Sequence, residues 1–240
     1  MWYFRRINPV QSIHHLKYIT FVGAGGKTSL IEHMARGVVE AGKTVAIATT
    51  TKIYVQEPYR LMDGSSNPEE WEKPFVRVGK TLQGEKLTGV DFQDIIHLGR
   101  LYDVVLTEAD GARGKPLKFP APHEPVIPPF TDWVFVVAGF DALSGAIEDT
   151  VFRWELFCAA TAMDGRSIVT PEVFSAFFSD TILLKGVDKT RFTAVLNKCD
   201  TLMAPGKATE LARNLISAGT VPTVIVSSTL HHSFYEISRF

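Results

Sequence analysis

One turn constrains this chain more than any other stretch: Gly23-Ala24-Gly25-Gly26-Lys27-Thr28 joins a β-branched run to a helical one. Lys17–Val22 (KYITFV) reads as a buried strand. Thr28–Ala41 (TSLIEHMARGVVEA) places Leu30, Ile31, Met34, Ala35, Val38 and Val39 on one helical face. Glycines between a strand and a helix allow a tight turn whose amide groups point inward toward an anion. The helix start adds partial positive charge there, and a lysine at this point reaches terminal phosphate oxygens. Gly23, Ala24, Gly25, Gly26, Lys27, Thr28 and Ser29 are therefore the candidate phosphate cradle, with the Thr28 hydroxyl a candidate Mg²⁺ ligand. A G-x-x-G-K-[ST] match arises by chance in a chain this long in roughly one case in a hundred, before its flanking strand and helix are counted.

This loop is two residues shorter than the usual G-x-x-x-x-G-K-[ST]. In that it resembles the ATP loop of the bacterial cell-wall amino-acid ligases. Further strands are expected at Thr44–Thr49, Asp103–Thr107, Trp133–Ala138, Phe192–Leu196 and Thr223–Ser227, apolar almost throughout, as strands buried on both faces are. Helices are expected near Phe92–Gly99, Thr150–Met163, Pro171–Phe178 and Lys207–Ala218. The alternation predicts an α/β fold, a three-layer P-loop NTPase-like sheet that is mostly parallel. Gln56–Lys73 reads as a polar surface loop and Phe75–Val90 as a small inserted β-hairpin, so the chain is expected to be one nucleotide-binding domain, 1–240, with an insertion at about 55–90. Six prolines between Pro116 and Pro129 exclude helix and predict a stiff loop.

Charge and composition narrow the function classes. Lys and Arg total 25 against 26 Asp and Glu, a net charge of −1, without the basic excess of a nucleic-acid binder. No apolar run reaches the ~18–20 residues of a membrane span, and the N-terminus turns polar too soon for a signal-peptide core. Cys158 and Cys199 match no metal or redox spacing and read as small buried side chains in a reducing compartment, so a cytoplasmic protein is expected.

Two later strand ends carry candidate chemistry. Asp103–Thr107 runs into Glu108-Ala109-Asp110-Gly111, an outline of the D-x-x-G switch of GTPases with Glu in place of Asp. Glu108 and Asp110, two apart on extended backbone, point the same way and are candidates to hold Mg²⁺ or to position a water. Arg113, Lys115 and Lys118 follow, suited to phosphates or an anionic substrate, and lead to His123 and Glu124. The candidate catalytic residues are Lys27, Glu108, Asp110 and Arg113. Phe192–Leu196 ends in Asn197-Lys198-Cys199-Asp200, an N-K-x-D tetrapeptide with chance odds of roughly 3%. At that place in GTPases the Asp accepts from guanine N1 and N2, which favours GTP over ATP. Ser227, at the next strand end, is a further nucleotide-binding candidate, as are Thr50 and Lys52 in Thr49-Thr50-Thr51-Lys52. His14-His15 and His231-His232 lack partners at metal spacing and read as surface residues.

In order along the chain, Val22–Thr28, Thr49–Lys52, Thr107–Ala112, Lys115-Pro116-Leu117-Lys118, Pro122-His123-Glu124-Pro125, Thr170-Pro171-Glu172, Lys185-Gly186-Val187 and Asn197–Asp200 together resemble the YqeC-type proteins. The resemblance runs from Thr20 to about Ser228. It implies a P-loop nucleotide-binding accessory factor of selenium-dependent molybdenum hydroxylases, one that helps mature such an enzyme or load its cofactor. Phe152-Arg153 stands where the resemblance implies a His-Arg pair. Three classes stay open: a Mg²⁺-dependent GTPase-like factor, an ATP-dependent small-molecule kinase or ligase with its acceptor on the Arg113–Glu124 loop, and a nucleotide-gated binding module without turnover.

Overall fold

A computed structural model of the chain describes residues 1–13, 15–65, 67–71, 73–200 and 205–239; His14 lies outside them. Ten strands form one sheet: β1 (Trp2–Arg6), β2 (Tyr18–Gly23), β3 (Val45–Thr49), β4 (Arg60–Leu61), β5 (Phe75–Gly79), β6 (Val104–Glu108), β7 (Trp133–Gly139), β8 (Phe192–Asn197), β9 (Thr223–Ser228) and β10 (Ser233–Arg239). Their spatial order is β1-β10-β9-β8-β7-β2-β6-β3-β5-β4. The pairings from β9 across to β4 are parallel, while β10 pairs antiparallel with both β9 and β1. The fold is α/β with a large, mostly parallel sheet.

Strand side chains alternate between two apolar layers. On one face Ile19, Phe21, Ile47 and Leu106 meet Leu30, Ile31, Met34, Ala35 and Val38 of the helix Lys27–Glu40. On the other face Val134, Val136 and Leu196 meet Leu211 and Leu215 of the helix Pro205–Ser217, and Ala46, Ala48 and Val105 meet Ile95 and Leu98 of the helix Phe92–Leu101. The sheet is thus covered on both sides, as parallel strands require. Among the described residues no helix is long and apolar enough to cross a membrane.

The order also places the functional edge. β2 sits between β6 and β7, and the chain leaving β2 returns two places away as β3. Loops that follow β2, β6 and β7 therefore diverge at their carboxyl ends and leave a crevice there.

Two expectations need correction. Phe75–Gly79 is not half of a hairpin: it pairs parallel with β3 inside the main sheet, and β4 extends it, so the segment at about 55–90 is only partly an insertion. Arg77 of this strand is buried, its guanidinium enclosed by Glu32 and by the carbonyls of Gln56, Glu57 and Pro58. The small hairpin is Leu82–Gln83 with Lys86–Leu87, and Ile53–Tyr54 joins it. Thr150–Met163 is not one helix either. Val151–Phe152 pairs with Leu117–Lys118, Arg153 turns left-handed at φ 61°, and a helix runs only from Trp154 to Thr161.

Candidate functional site

Gly23, Gly25 and Gly26 have φ of 96°, 81° and 103°, values that favour glycine. The loop leaves no room for side chains. A Cβ on Gly23 would lie 2.2 Å from the Val137 carbonyl oxygen, and one on Gly25 2.1 Å from the Gly139 nitrogen. Several loop amides are already engaged. Gly23 N donates to Asp110 Oδ2 at 3.0 Å, Ala24 N to the Val137 carbonyl at 2.9 Å and Gly25 N to the Lys115 carbonyl at 3.2 Å. The residues that could offer amides to an anion therefore begin at Gly26, where the helix Lys27–Glu40 starts without a side-chain cap. Gly25, Gly26, Lys27, Thr28 and Ser29 line a cavity of about 760 Å³; Gly23 and Ala24 lie behind it.

Glu108 and Asp110 both reach Lys27, as their spacing predicts, but only Glu108 lines the cavity. The Lys27 ammonium donates to the Gly23 carbonyl at 2.6 Å and lies 3.1 Å from Asp110 Oδ1 and 3.6 Å from Glu108 Oε1. Asp110 Oδ1 has this ion pair but no aligned hydrogen bond. Thr28 Oγ1 donates to Glu108 Oε2 at 3.1 Å. Asp110 Oδ2 also takes an ion pair from Lys118 at 3.2 Å, so its carboxylate braces the loop and does not face the cavity as expected of a metal ligand.

Lys118 continues the chain of charges. Its ammonium donates to Glu124 Oε2 and to the Gly111 carbonyl, both at 2.8 Å, and the side chain is 1% exposed. It is not available to a phosphate, contrary to its expected role. Arg153 closes the network with two bonds to Glu124, at 2.6 and 3.1 Å. Its left-handed backbone aims the guanidinium back across the Pro116–Pro129 segment. Three cations and three carboxylates are matched in this cluster, and burial without such matching would be strongly unfavourable.

The cluster sets proton affinities. Burial alone would lower Lys27, but Asp110 and Glu108 outweigh it and raise its pKa. Burial raises Glu108 above the ordinary carboxylate range, against the pull of Lys27. Burial also pushes Glu124 up, yet Arg153 and Lys118 prevail and hold it at about 2 against an ordinary 4.5. A folded value below the unfolded one means the contribution is complete above pH 4.5 and lost as pH falls toward 2. Unfolding free energy measured by denaturant titration is expected to fall through that window more steeply in the wild type than in Glu124→Gln. Parallel slopes would contradict it.

On the other side of the loop, Asn197 Nδ2 donates to the Gly25 carbonyl at 3.0 Å, and its Oδ1 accepts from Ser227 Oγ at 3.0 Å and Thr229 Oγ1 at 2.8 Å. Asn197 and Ser227 are buried and tie β8 and β9 to the glycine loop instead of lining the cavity. Lys198 lines the cavity and pairs with Asp141 at 2.9 Å. Asp200 is exposed and is not among the lining residues. Thr50, Lys52, Arg113 and Lys115 do line it; Thr50 Oγ1 donates to the Val126 carbonyl at 2.8 Å, and Lys115 donates to the Asp149 carbonyl.

The structure also adds Asp141, which no motif announced, and gives Arg153, noted from the sequence only as half of an implied His-Arg pair, a place in the ion-pair cluster. Away from the site, Cys158 and Cys199 are half-buried against the apolar layer, and burial pushes the Cys199 thiol up to about 12. His231 and His232 are exposed, as expected, and His232 Nδ1 lies 3.1 Å from His33 Nδ1.

A family model described as YqeC protein matches residues 19–155, more than half of the chain. A protein of Escherichia coli strain K12, described as uncharacterized protein YqeC, is 35% identical over 159 residues, 60% of this chain and 60% of that relative. The chain thus spans about three-fifths of the length of the curated relative it matches. No solved structure matches. The matched stretch begins on the strand before the glycine loop, ends just past the arginine that closes the ion-pair cluster and holds every cavity-lining residue except Lys198, and the chain belongs to the YqeC family.

Proposed function

We propose that this chain binds a Mg²⁺–nucleoside triphosphate at the Gly25–Ser29 turn, within a P-loop NTPase-like fold, and hydrolyses it with GTP preferred over ATP. One observation carries the reading: an uncapped helix start behind a glycine loop opens on a large cavity beside the hydrogen-bonded pair Thr28 and Glu108. Those two side chains fit Mg²⁺, which takes hard oxygens, keeps several waters and is usually held by one or two carboxylates plus phosphates. When bound, the ion would neutralise phosphate charge. Lys27 would exchange a carboxylate for a phosphate oxygen. In this account Asp110 positions the loop. A role in maturing or loading a molybdenum hydroxylase rests on the family resemblance, and co-purification with such an enzyme tests it.

Guanine preference rests on Asn197-Lys198-Cys199-Asp200, whose strand ends on the same sheet edge as the glycine loop. Competition binding is expected to favour GDP over ADP by at least ~tenfold, because a site built for paired donors leaves its carboxylate unmatched when adenine enters. Asp200→Asn should weaken GDP and improve the xanthine diphosphate. Equal affinity for ADP and GDP would reduce the tetrapeptide to a brace for the loop. The ATP-dependent kinase or ligase reading would then lead, favoured by a cavity that continues to Tyr54, Gln56 and Lys86. Single-turnover assay separates hydrolysis, transfer to an acceptor, and binding without turnover.

A further inference from the structure

We propose that the cavity takes a second ligand beside the nucleotide: a small molecule with two or more carboxylate or phosphate groups, seated on Lys52, Lys86 and Arg113. This deepens the nucleotide reading and rests on it. The charges lining the cavity divide into two sets. Lys27 is matched by Glu108 and Asp110, Arg153 by Glu124 and Lys198 by Asp141. Lys52, Lys86, Arg113 and Lys115 line the same cavity and have no carboxylate partner among the described residues; Lys115 instead donates to the Asp149 carbonyl. The Lys86 ammonium lies 4.6 Å from the centre of the Tyr54 ring, and the Arg113 guanidinium 5.3 Å from that of Phe152, contacts that orient a cation without neutralising it. Both cavity carboxylates, Glu108 and Glu124, already have cations, so the excess positive charge is unanswered.

Position separates this wall from the nucleotide. Lys52 follows β3, and Lys86 belongs to the hairpin paired with Ile53–Tyr54, so both lie beyond β6 as seen from β2. Asn197 ends β8 and Lys198 follows it, beyond β7 on the opposite side. A nucleotide with phosphates at the helix start and its base toward β8 leaves the β3 side of the cavity open. There Tyr54, 59% exposed, offers an apolar face, and Thr51 Oγ1 is enclosed without a hydrogen-bond partner.

Isothermal titration at low salt tests the site on the full chain saturated with Mg²⁺–GDP. Tricarballylate and inorganic phosphate serve as probes and distinguish a carboxylate ligand from a phosphate one. At least one probe should bind, and Lys86→Glu should weaken it by about tenfold or more while GDP affinity stays within about threefold. Lys86 is partly exposed, so an unchanged melting temperature should accompany the loss. Failure of both probes on the wild type would overturn the proposal. So would an equal loss of GDP affinity in Lys86→Glu, which would make the wall part of the nucleotide site. Should GDP fail to bind while a probe still binds through Lys86, the nucleotide reading falls and the anion site stands.

Discussion

Lys118→Met is expected to destabilise the folded chain by about 3–5 kcal/mol, because it removes one member of a buried ion cluster and leaves its partners unmatched. The ammonium stands between Asp110 and Glu124, at 3.2 and 2.8 Å, and also takes the Gly111 carbonyl. Methionine keeps most of the volume and none of the charge. Arg153 still serves Glu124, but Asp110 is left with Lys27 and the Gly23 amide. In a chain of this size the loss corresponds to a melting temperature lower by roughly 6–20 °C. Arg166→Met, at a solvent-exposed pair with Asp164, is the control and should melt as the wild type does. Equal melting of Lys118→Met and wild type would show that the cluster contributes no stability.

Gly25→Ala is expected to abolish nucleotide binding and to lower stability by about 3 kcal/mol. Two costs combine: roughly 1–2 kcal/mol for a Cβ at positive φ, and a similar amount for overpacking. The new atom would meet Gly139 N at 2.1 Å and Gly139 Cα at 2.3 Å, backbone that cannot rotate away. The β2–β7 junction must open, and the helix start moves with it. Gly42→Ala isolates the first cost, since Gly42 has φ 77° and a Cβ there would meet nothing within 4 Å. Chemical denaturation of the two variants should differ by the collision alone. Equal stabilities would mean that the loop yields freely.

The sheet interior was legible because its strands are short apolar runs, and parallel strands covered on both faces need that pattern. The conformation of the glycine loop was legible because glycines between an apolar strand and an amphipathic helix mark a tight turn, and Gly23, Gly25 and Gly26 take positive φ there. What stayed hidden depended on contacts distant in sequence. β5 carries Arg77, which looks like a surface residue until Glu32 and three carbonyls surround it. β1 and β10 lie at the sheet's antiparallel end, where half-exposed faces mix charge with aromatics and weaken the periodic signal. Glu124 and Arg153 are 29 residues apart, and the pair exists only because Arg153 adopts a left-handed turn where helical periodicity predicts continuation. Spacing placed Glu108 and Asp110 on one side correctly, but not which of them would face the cavity.

The central claim is that the helix start behind Gly25 and Gly26 receives nucleotide phosphates. Isothermal titration of the wild type and Gly25→Ala with GTP and Mg²⁺ tests it most directly, with circular dichroism to establish that the variant is folded at the temperature used. The account predicts saturable one-to-one binding by the wild type and none by the variant. A wild type that binds neither GTP nor ATP, nor either diphosphate, with Mg²⁺ present would contradict it.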